Sequence, residues 1–237
     1  MKRFYREVQI GEEDGGTHVL LDGRPVRTPA KNLLVLPSRA LGEAIAAEWR
    51  EQTETINPAS MGLTRLANSA LDNVSRNRAA TIDEIARFTA TDLVCYRVAE
   101  PDELVVRQNN AWQPLVDWVA TTFEAELAVT DSLLPVTQSG SCLSALRGAI
   151  EIFDDFPLTG LHAATAASGS VVIGLALGHG RIDGEAAWEY SLIDESYQIE
   201  RWGEDYDATV QRAALKRDIG WAAEFLALSR DAPQSFT

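Results

Sequence analysis

The chain is short of cysteine, histidine and positive charge. Two cysteines in 237 residues, Cys95 and Cys142, are too few for a disulfide framework and point to a reducing compartment. The three histidines, His18, His162 and His179, lie far apart, and none stands in an H-x-x-x-H pattern. No zinc site of known spacing is therefore written in the chain, and each histidine reads as structural or solvated. Against 35 Asp and Glu there are only 21 Lys and Arg, a formal charge of -14. A field of that sign repels phosphate backbones and anionic lipid, so neither nucleic acid nor a membrane surface is an expected partner. Long apolar runs are missing too. The longest uncharged stretch, 163–178, contains Ser168, Gly169, Ser170 and Gly174. It falls short of the roughly 20 residues of a spanning helix, so membrane insertion is not expected, and it reads as one buried helix. No apolar segment follows Met1-Lys2-Arg3-Phe4-Tyr5, so no signal peptide is expected.

Catalytic signatures are equally scarce. There is no G-x-S-x-G elbow and no G-x-x-x-x-G-K-[ST] loop. Ser168-Gly169-Ser170 sits in an apolar run, where small residues let helices approach. Cys95 follows Val94 and reads as a small buried hydrophobe. Gly178-His179-Gly180 reads as a helix end with C-cap glycines rather than a phosphate loop. No catalytic residue, metal ligand or cofactor is expected.

What is present is an ordinary globular composition, 46% apolar and 24% charged, in a length that allows one large domain or two small ones. The first forty residues have strand character. Phe4, Arg6 and Val8 alternate with Tyr5, Glu7 and Gln9, and 17–21 forms a second run. Glu13-Asp14-Gly15-Gly16 reads as a turn, and Asp22-Gly23 is a two-residue hairpin signal, because both residues tolerate positive φ. From Ser38, a plausible N-cap, the period becomes helical with Leu41, Ile45 and Trp49. Beyond residue 98 the chain reads as helical throughout. Pro101 opens a helix, and Trp112, Leu115, Val116, Val119 and Phe123 make a stripe with Pro114 near its start. Leu143, Leu146, Ile150 and Phe153 make another. Val210, Ala214, Trp221, Phe225 and Leu228 line the last. Segment 93–96 is ambiguous between a helix end and a short strand. The expected fold is α+β: a small N-terminal α+β domain with a hairpin-rich sheet, residues 1–98, then an all-α helical bundle, residues 99–237.

Charge is unevenly spread. Between Asp183 and Asp207 there are nine acids and one base, Arg201, interleaved with Trp188, Tyr190, Tyr197, Trp202 and Tyr206. Three readings stay open for this acidic helix: a solvated face, a docking surface for a basic partner, or a metal or acid/base site in an enzyme. Aromatics among the charges favour docking, since such residues often anchor protein interfaces.

Seven segments in order carry a resemblance: 2–5 (Lys-Arg-Phe-Tyr), 22–29 (Asp-Gly-Arg-Pro-Val-Arg-Thr-Pro), 44–49, 63–72, 91–97, Trp112-Gln113-Pro114, and 197–203 (Tyr-Gln-Ile-Glu-Arg-Trp-Gly). Over about residues 2–228 the chain resembles the ATP synthase F(1) complex assembly factor 2 family, the assembly chaperones of the F(1)-ATPase α subunit. The resemblance implies a non-enzymatic, monomeric chaperone. It would bind the unassembled α subunit, prevent its aggregation and release it as the α/β hexamer forms. It also implies function for acids near the Tyr-Gln-Ile…Trp-Gly motif: Glu195 is the best match and Glu200 a weaker one. Trp202, Glu204, Asp205 and Asp207 complete the expected partner-binding set. Eukaryotic members act in the mitochondrial matrix behind a basic presequence. This chain shows no such presequence, so it resembles a cytoplasmic bacterial member or a processed form.

Overall fold

The computed structural model describes residues 1–13, 16–132, 134–203 and 206–230. It divides into two compact units. The first comprises Met1–Arg78, Asp154–Gly160 and the described part of Glu224–Thr237; the second comprises Ala79–Phe153 and Leu161–Ala223.

The first unit is built on an antiparallel sheet of β1 (Val8–Glu13), β2 (Gly16–Leu21), β3 (Arg24–Pro25) and β4 (Val35–Leu36). One side of β2 pairs with β1 from Val8↔Leu21 to Glu13↔Gly16; it also pairs with β3 at Leu20↔Pro25 and with β4 at Thr17↔Leu36. The expected Asp22-Gly23 turn joins β2 to β3 with φ of 49° and 77°. Both central residues are left-handed, as a tight hairpin following the strand twist requires. Of the turn expected at Glu13–Gly16, Asp14 and Gly15 lie outside the described residues. The first strand starts later than its alternation suggests, at Val8 rather than Phe4. Upstream, Arg6 and Glu7 donate their N–H groups to the Asp22 carboxylate at 3.0 and 2.8 Å, and Phe4 is exposed.

Helix α1 (Arg39–Glu51) covers the sheet. Ser38 caps it, its Oγ accepting from the Leu41 N–H at 3.1 Å. Leu41 and Ile45 are fully buried with Val19, Leu21, Leu34 and Leu36. Each such side chain contributes about 1.5–3 kcal/mol by leaving water. The following helix, α2 (Gly62–Ser69), runs into a π-helical turn, Ala70–Val74. Its N-terminus has no side-chain cap of its own. Glu48 of α1 supplies one, accepting from Leu63 N (2.7 Å), Thr64 N (2.8 Å) and Thr64 Oγ1 (2.6 Å). Burial raises the Glu48 pKa against these bonds. Asp72, in the π turn, likewise gathers Thr28 Oγ1, the Ala30 N–H and Asn32 Nδ2 at 2.6–3.0 Å. Phe156 and Phe225, stacked 5.9 Å apart, complete this core from far along the chain.

The second unit is helical: α3 (Arg78–Arg87), α4 (Asp102–Phe123), α5 (Gly140–Glu151), α6 (Asp155–Ser168), α7 (Val171–Gly178), α8 (Gly184–Ser191), α9 (Ile193–Trp202) and α10 (Tyr206–Leu228). Helices α6 and α10 contribute residues to both units. Of the two expected stripes, Trp112, Leu115, Val116, Val119, Leu146, Ile150 and Phe153 are buried, Phe123 is half-buried and Leu143 is exposed. Three expectations are corrected here. Pro114 lies mid-helix in a single 22-residue α4. It is exposed there, so the carbonyl its missing N–H leaves open can meet water. The stretch 163–178 is two helices, α6 and α7. Gly169 takes φ 71°, and Ser170 starts α7 as an N-cap, its Oγ accepting from the Ile173 N–H at 3.0 Å. The acidic stretch is likewise not one helix but α8, α9 and the start of α10, interrupted at Leu192 and at Gly203 with φ 84°.

Segment 93–96 resolves as a 3₁₀ turn, Leu93–Cys95, headed by Asp92. Asp92 is wholly buried; it accepts from Ser170 Oγ at 2.5 Å, the Val172 N–H at 3.1 Å and the Val94 N–H at 3.2 Å. It thus docks the turn onto the start of α7, and burial raises its pKa to about 6. Both cysteines are buried; the Cys95 thiol is pushed to about 12 by burial, and Cys142 is raised likewise. Gly180, at φ 68°, bonds back to the Leu177 carbonyl as the C-cap reading anticipates. His179 is wedged among Trp118, Phe123 and Phe153 with centroids 5.3–5.7 Å away, a packing role.

Candidate partner-binding site

The acidic segment of the second unit spends much of its charge internally. Glu200, near the end of α9, takes two hydrogen bonds from Arg107 of α4, at 2.8 and 2.7 Å. Arg107 also holds Glu103 at 2.8 Å, and Arg201 reaches back to the same Glu103 at 2.8 Å. These bonds hold Glu103 and Glu200 below the ordinary carboxylate range and push Arg107 above its own. Both guanidiniums lie over the ring of buried Tyr197, Arg201 at 4.5 Å and Arg107 at 5.4 Å. Asp194 accepts from the buried Gln108 amide at 2.6 Å, and Trp112 Nε1 donates to the Tyr190 carbonyl at 2.9 Å. The α4–α9 face is thereby fixed by polar bonds at its edge and by Tyr197 at its centre.

Toward α10 the pattern repeats. Glu195 faces Arg212 at 3.5 Å, and Arg212 also donates to Ser196 Oγ at 3.1 Å. Glu185 meets Lys216 at 2.6 Å, with that ammonium 4.2 Å above the Trp188 ring. The expected residues therefore fall into three groups. Glu195 and Glu200 are partnered by cations of other helices. Trp202 and Asp207 are exposed. Glu204 and Asp205 lie outside the described residues.

The surface offers something further. Trp202 is 77% exposed and Tyr206 81%. Val210, expected in the core stripe of α10, is 51% exposed. It stands one turn after Tyr206 on the same face. In the C-terminal half of α10, Phe225 of the expected stripe is buried and Trp221 and Leu228 are half-buried, while Ile219, Ala222 and Leu226, outside that stripe, are buried beside them. Trp202 and Tyr206 are thus large aromatics left in solvent, the residue type that often anchors protein interfaces. Sequence reasoning reached Trp202 through its motif but placed Val210 wrongly, because a periodic stripe does not say which turns are covered. Arg107 and Arg212, which position the acids, carry no local signal.

Chemically, the arrangement suits docking. A paired-carboxylate or metal site would need acids converging on one another. Among the described residues no three His, Cys, Asp or Glu side chains come together to hold a metal ion. Instead, acids and cations alternate across helices. No described helix is long and apolar enough to cross a membrane.

Comparison with known proteins supplies a second line of evidence. The family model described as "ATP12 chaperone protein" matches residues 2–120. The solved structure of Atp12 from Paracoccus denitrificans is 42% identical and superposes with a TM-score of 0.91, covering 97% of this chain and 98% of that one. A structure of a single-site mutant of the Paracoccus protein matches to the same degree. A chaperone candidate from Agrobacterium tumefaciens is 36% identical with a TM-score of 0.91, covering 97% of this chain and 86% of that one. "Protein atp12, mitochondrial" of Schizosaccharomyces pombe is 21% identical over 236 residues, 94% of this chain and 81% of its own. The family and these relatives are described as chaperones or by the Atp12 name, and none as an enzyme.

Proposed function

The chain belongs to the ATP12 chaperone family, and from that premise we propose that it binds the unassembled α subunit of F(1)-ATPase. Bound, it keeps that subunit from aggregating, and it yields the subunit as the α/β hexamer forms. The observation that carries this reading is the exposed apolar surface of Trp202, Tyr206 and Val210 beside Asp207. An unpartnered subunit of a ring exposes an apolar contact surface, which is an aggregation hazard. An aromatic anchor with an acidic rim matches such a surface where its border is basic. Glu204 and Asp205 extend the rim in sequence. Glu195 and Glu200 border the site, paired with Arg212 and Arg107.

Release sets the energetics. An interface of about 1,600 Å² suffices for specific binding. A dissociation constant around micromolar, about -8 kcal/mol, lets a β subunit displace the chaperone. The chain acts as a monomer in a bacterial cytoplasm, with one client at a time.

The test is direct. Purified chain mixed with isolated α subunit should co-elute on size exclusion, and adding β subunit should dissolve the complex. Trp202→Ala combined with Tyr206→Ala should weaken binding by at least about tenfold without moving the unfolding midpoint. A stable complex with the finished hexamer, or unchanged affinity in the folded double variant, would overturn the proposal.

A further inference from the structure

The sheet of the first unit has two faces, and α1 covers one of them. Val19 and Leu21 of β2 belong to the core on that side, and Thr17 lies against Gly42 of α1. His18 and Leu20 alternate to the other face. Pairing brings Gly11, Val35 and Pro25 to the same side, through Gly11↔His18, His18↔Val35 and Leu20↔Pro25. Leu33 joins them and is bridged to Arg27. Gly11, His18, Leu20, Gly23, Pro25 and Leu33 line a recess of about 100 Å³ on this face. Glycine keeps it open, because a Cβ at residue 11 would crowd Leu20 Cδ1 at 3.1 Å.

Two observations say what the recess takes. His18 is only 7% exposed, and its Nδ1 is buried without a hydrogen-bond partner. Such a nitrogen carries a desolvation cost that a guest can remove. The surroundings are basic in an acidic chain: residues 23–42 hold Arg24, Arg27, Lys31 and Arg39 and no acid, against a net charge of -14. Arg39 is taken up by Glu12 and Glu43. Arg27 gives one N–H to the Lys31 carbonyl at 2.9 Å, and both side chains stand exposed. Of the nearby acids, Asp22 takes the Arg6 and Glu7 N–H groups, and Glu7 takes the Gln9 amide at 3.3 Å. We propose that this face docks an extended acidic segment of a partner protein, which seats one threonine in the recess and sets its acids against Arg27 and Lys31. A hydroxyl donates and accepts, so it pairs with His18 Nδ1 in either tautomer, while the threonine methyl meets Leu20, Pro25 and Leu33. The volume is below the roughly 150 Å³ in which a benzene ring fits, so the guest is a short side chain. The site belongs to the first unit, whereas Trp202 and Tyr206 belong to the second, and it stands independently of the client proposed for them.

Titration of the full chain with three end-blocked heptapeptides tests this: Glu-Asp-Val-Thr-Val-Asp-Glu, the same peptide with valine in place of threonine, and the threonine peptide with its acids changed to amides. The first should bind saturably and shift the backbone amides of Gly11, His18, Leu20 and Leu33. The valine peptide should bind about three- to tenfold more weakly, the worth of one hydrogen bond. The amide peptide should bind at least about fivefold more weakly at low salt, a gap that closes at high salt. His18→Leu should erase the preference for threonine over valine. Should that variant fail to fold, Leu33→Asp, at a rim position 40% exposed, should weaken the acidic peptide at least about fivefold. Absence of saturable binding, equal affinity for the threonine and valine peptides, or a preference that survives His18→Leu would overturn the assignment. So would a concentration-dependent dimer that Leu33→Asp abolishes, since a second copy of the chain would then be the occupant.

Discussion

The sheet-bearing first unit and the acidic helices 183–207 of the second use carboxylates in opposite ways. In the first, Asp22, Glu48 and Asp72 each accept backbone N–H groups that have no other partner, at a chain turn or helix start. In the second, Glu185 and Glu200 face partly exposed side-chain cations, Lys216 and Arg107, while Glu195 faces Arg212, whose side chain is largely covered. A backbone donor cannot move to find water, so removing its acceptor leaves it stranded. A lysine or arginine head simply swings into solvent. Hence the same residue type is structural in one region and replaceable in the other, and a docking surface can vary its charge without endangering the fold.

Asp92 sharpens the contrast most, because it brings the first kind of bonding into the helical unit. If bonding rather than region decides, Asp92→Ala should cost about 3 kcal/mol by stranding Ser170, Val94 and Val172, read as a lowered urea midpoint. Its pH behaviour follows from the raised pKa. Between 3.8 and about 6 the folded chain holds this proton more tightly than the unfolded chain. Acidification from pH 7 to 5 therefore stabilises through this group, and the gain is lost as pH rises through about 6. Asp92→Asn should flatten that part of the profile. Glu48→Ala comes next, at about 2 kcal/mol or a melting point lowered by about 4–8 °C, because the start of α2 loses its only side-chain acceptor.

Gly23→Val should cost about 1–3 kcal/mol in the same melt. No atom lies within 4 Å of a Cβ built there, so the cost is backbone strain alone, and Gly23→Asn should recover most of it. At the small end, Glu200→Gln should leave the unfolding midpoint within error. Glu195→Lys should likewise fold, as circular dichroism would show, yet slow association with the client at low salt more than at high salt. A large stability loss in either acidic-segment variant would erase the distinction between the two regions.

What could be read in the sequence was local. Asp22-Gly23 fixes its own φ angles, and Leu41, Ile45 and Trp49 mark a helix face whatever lies opposite. The α+β class followed from those patterns. Breaks decided by a single residue were harder. Gly169 and Gly203 sit in stretches whose composition stays helical on both sides, and only the left-handed φ they adopt divides them. The candidate site was legible as a composition of acids and aromatics, but not as a geometry. Glu103 and Arg201 are 98 residues apart, Asp92 and Ser170 78, and no periodicity links such partners. Val210 shows the converse: an apolar residue in register stays exposed when no described element covers it.

The two sunken thiols carry a practical consequence. With Cys95 near pKa 12 and Cys142 shifted the same way, almost no thiolate exists at neutral pH, and both sulfurs are shut away from reagents. The native chain is therefore chemically silent toward maleimides and mixed disulfides. A cysteine introduced in place of exposed Gln211, beside Val210, would be the one reactive sulfur, so a fluorophore or crosslinker attached there would report on client contact without altering the native thiols or the proposed aromatic anchors.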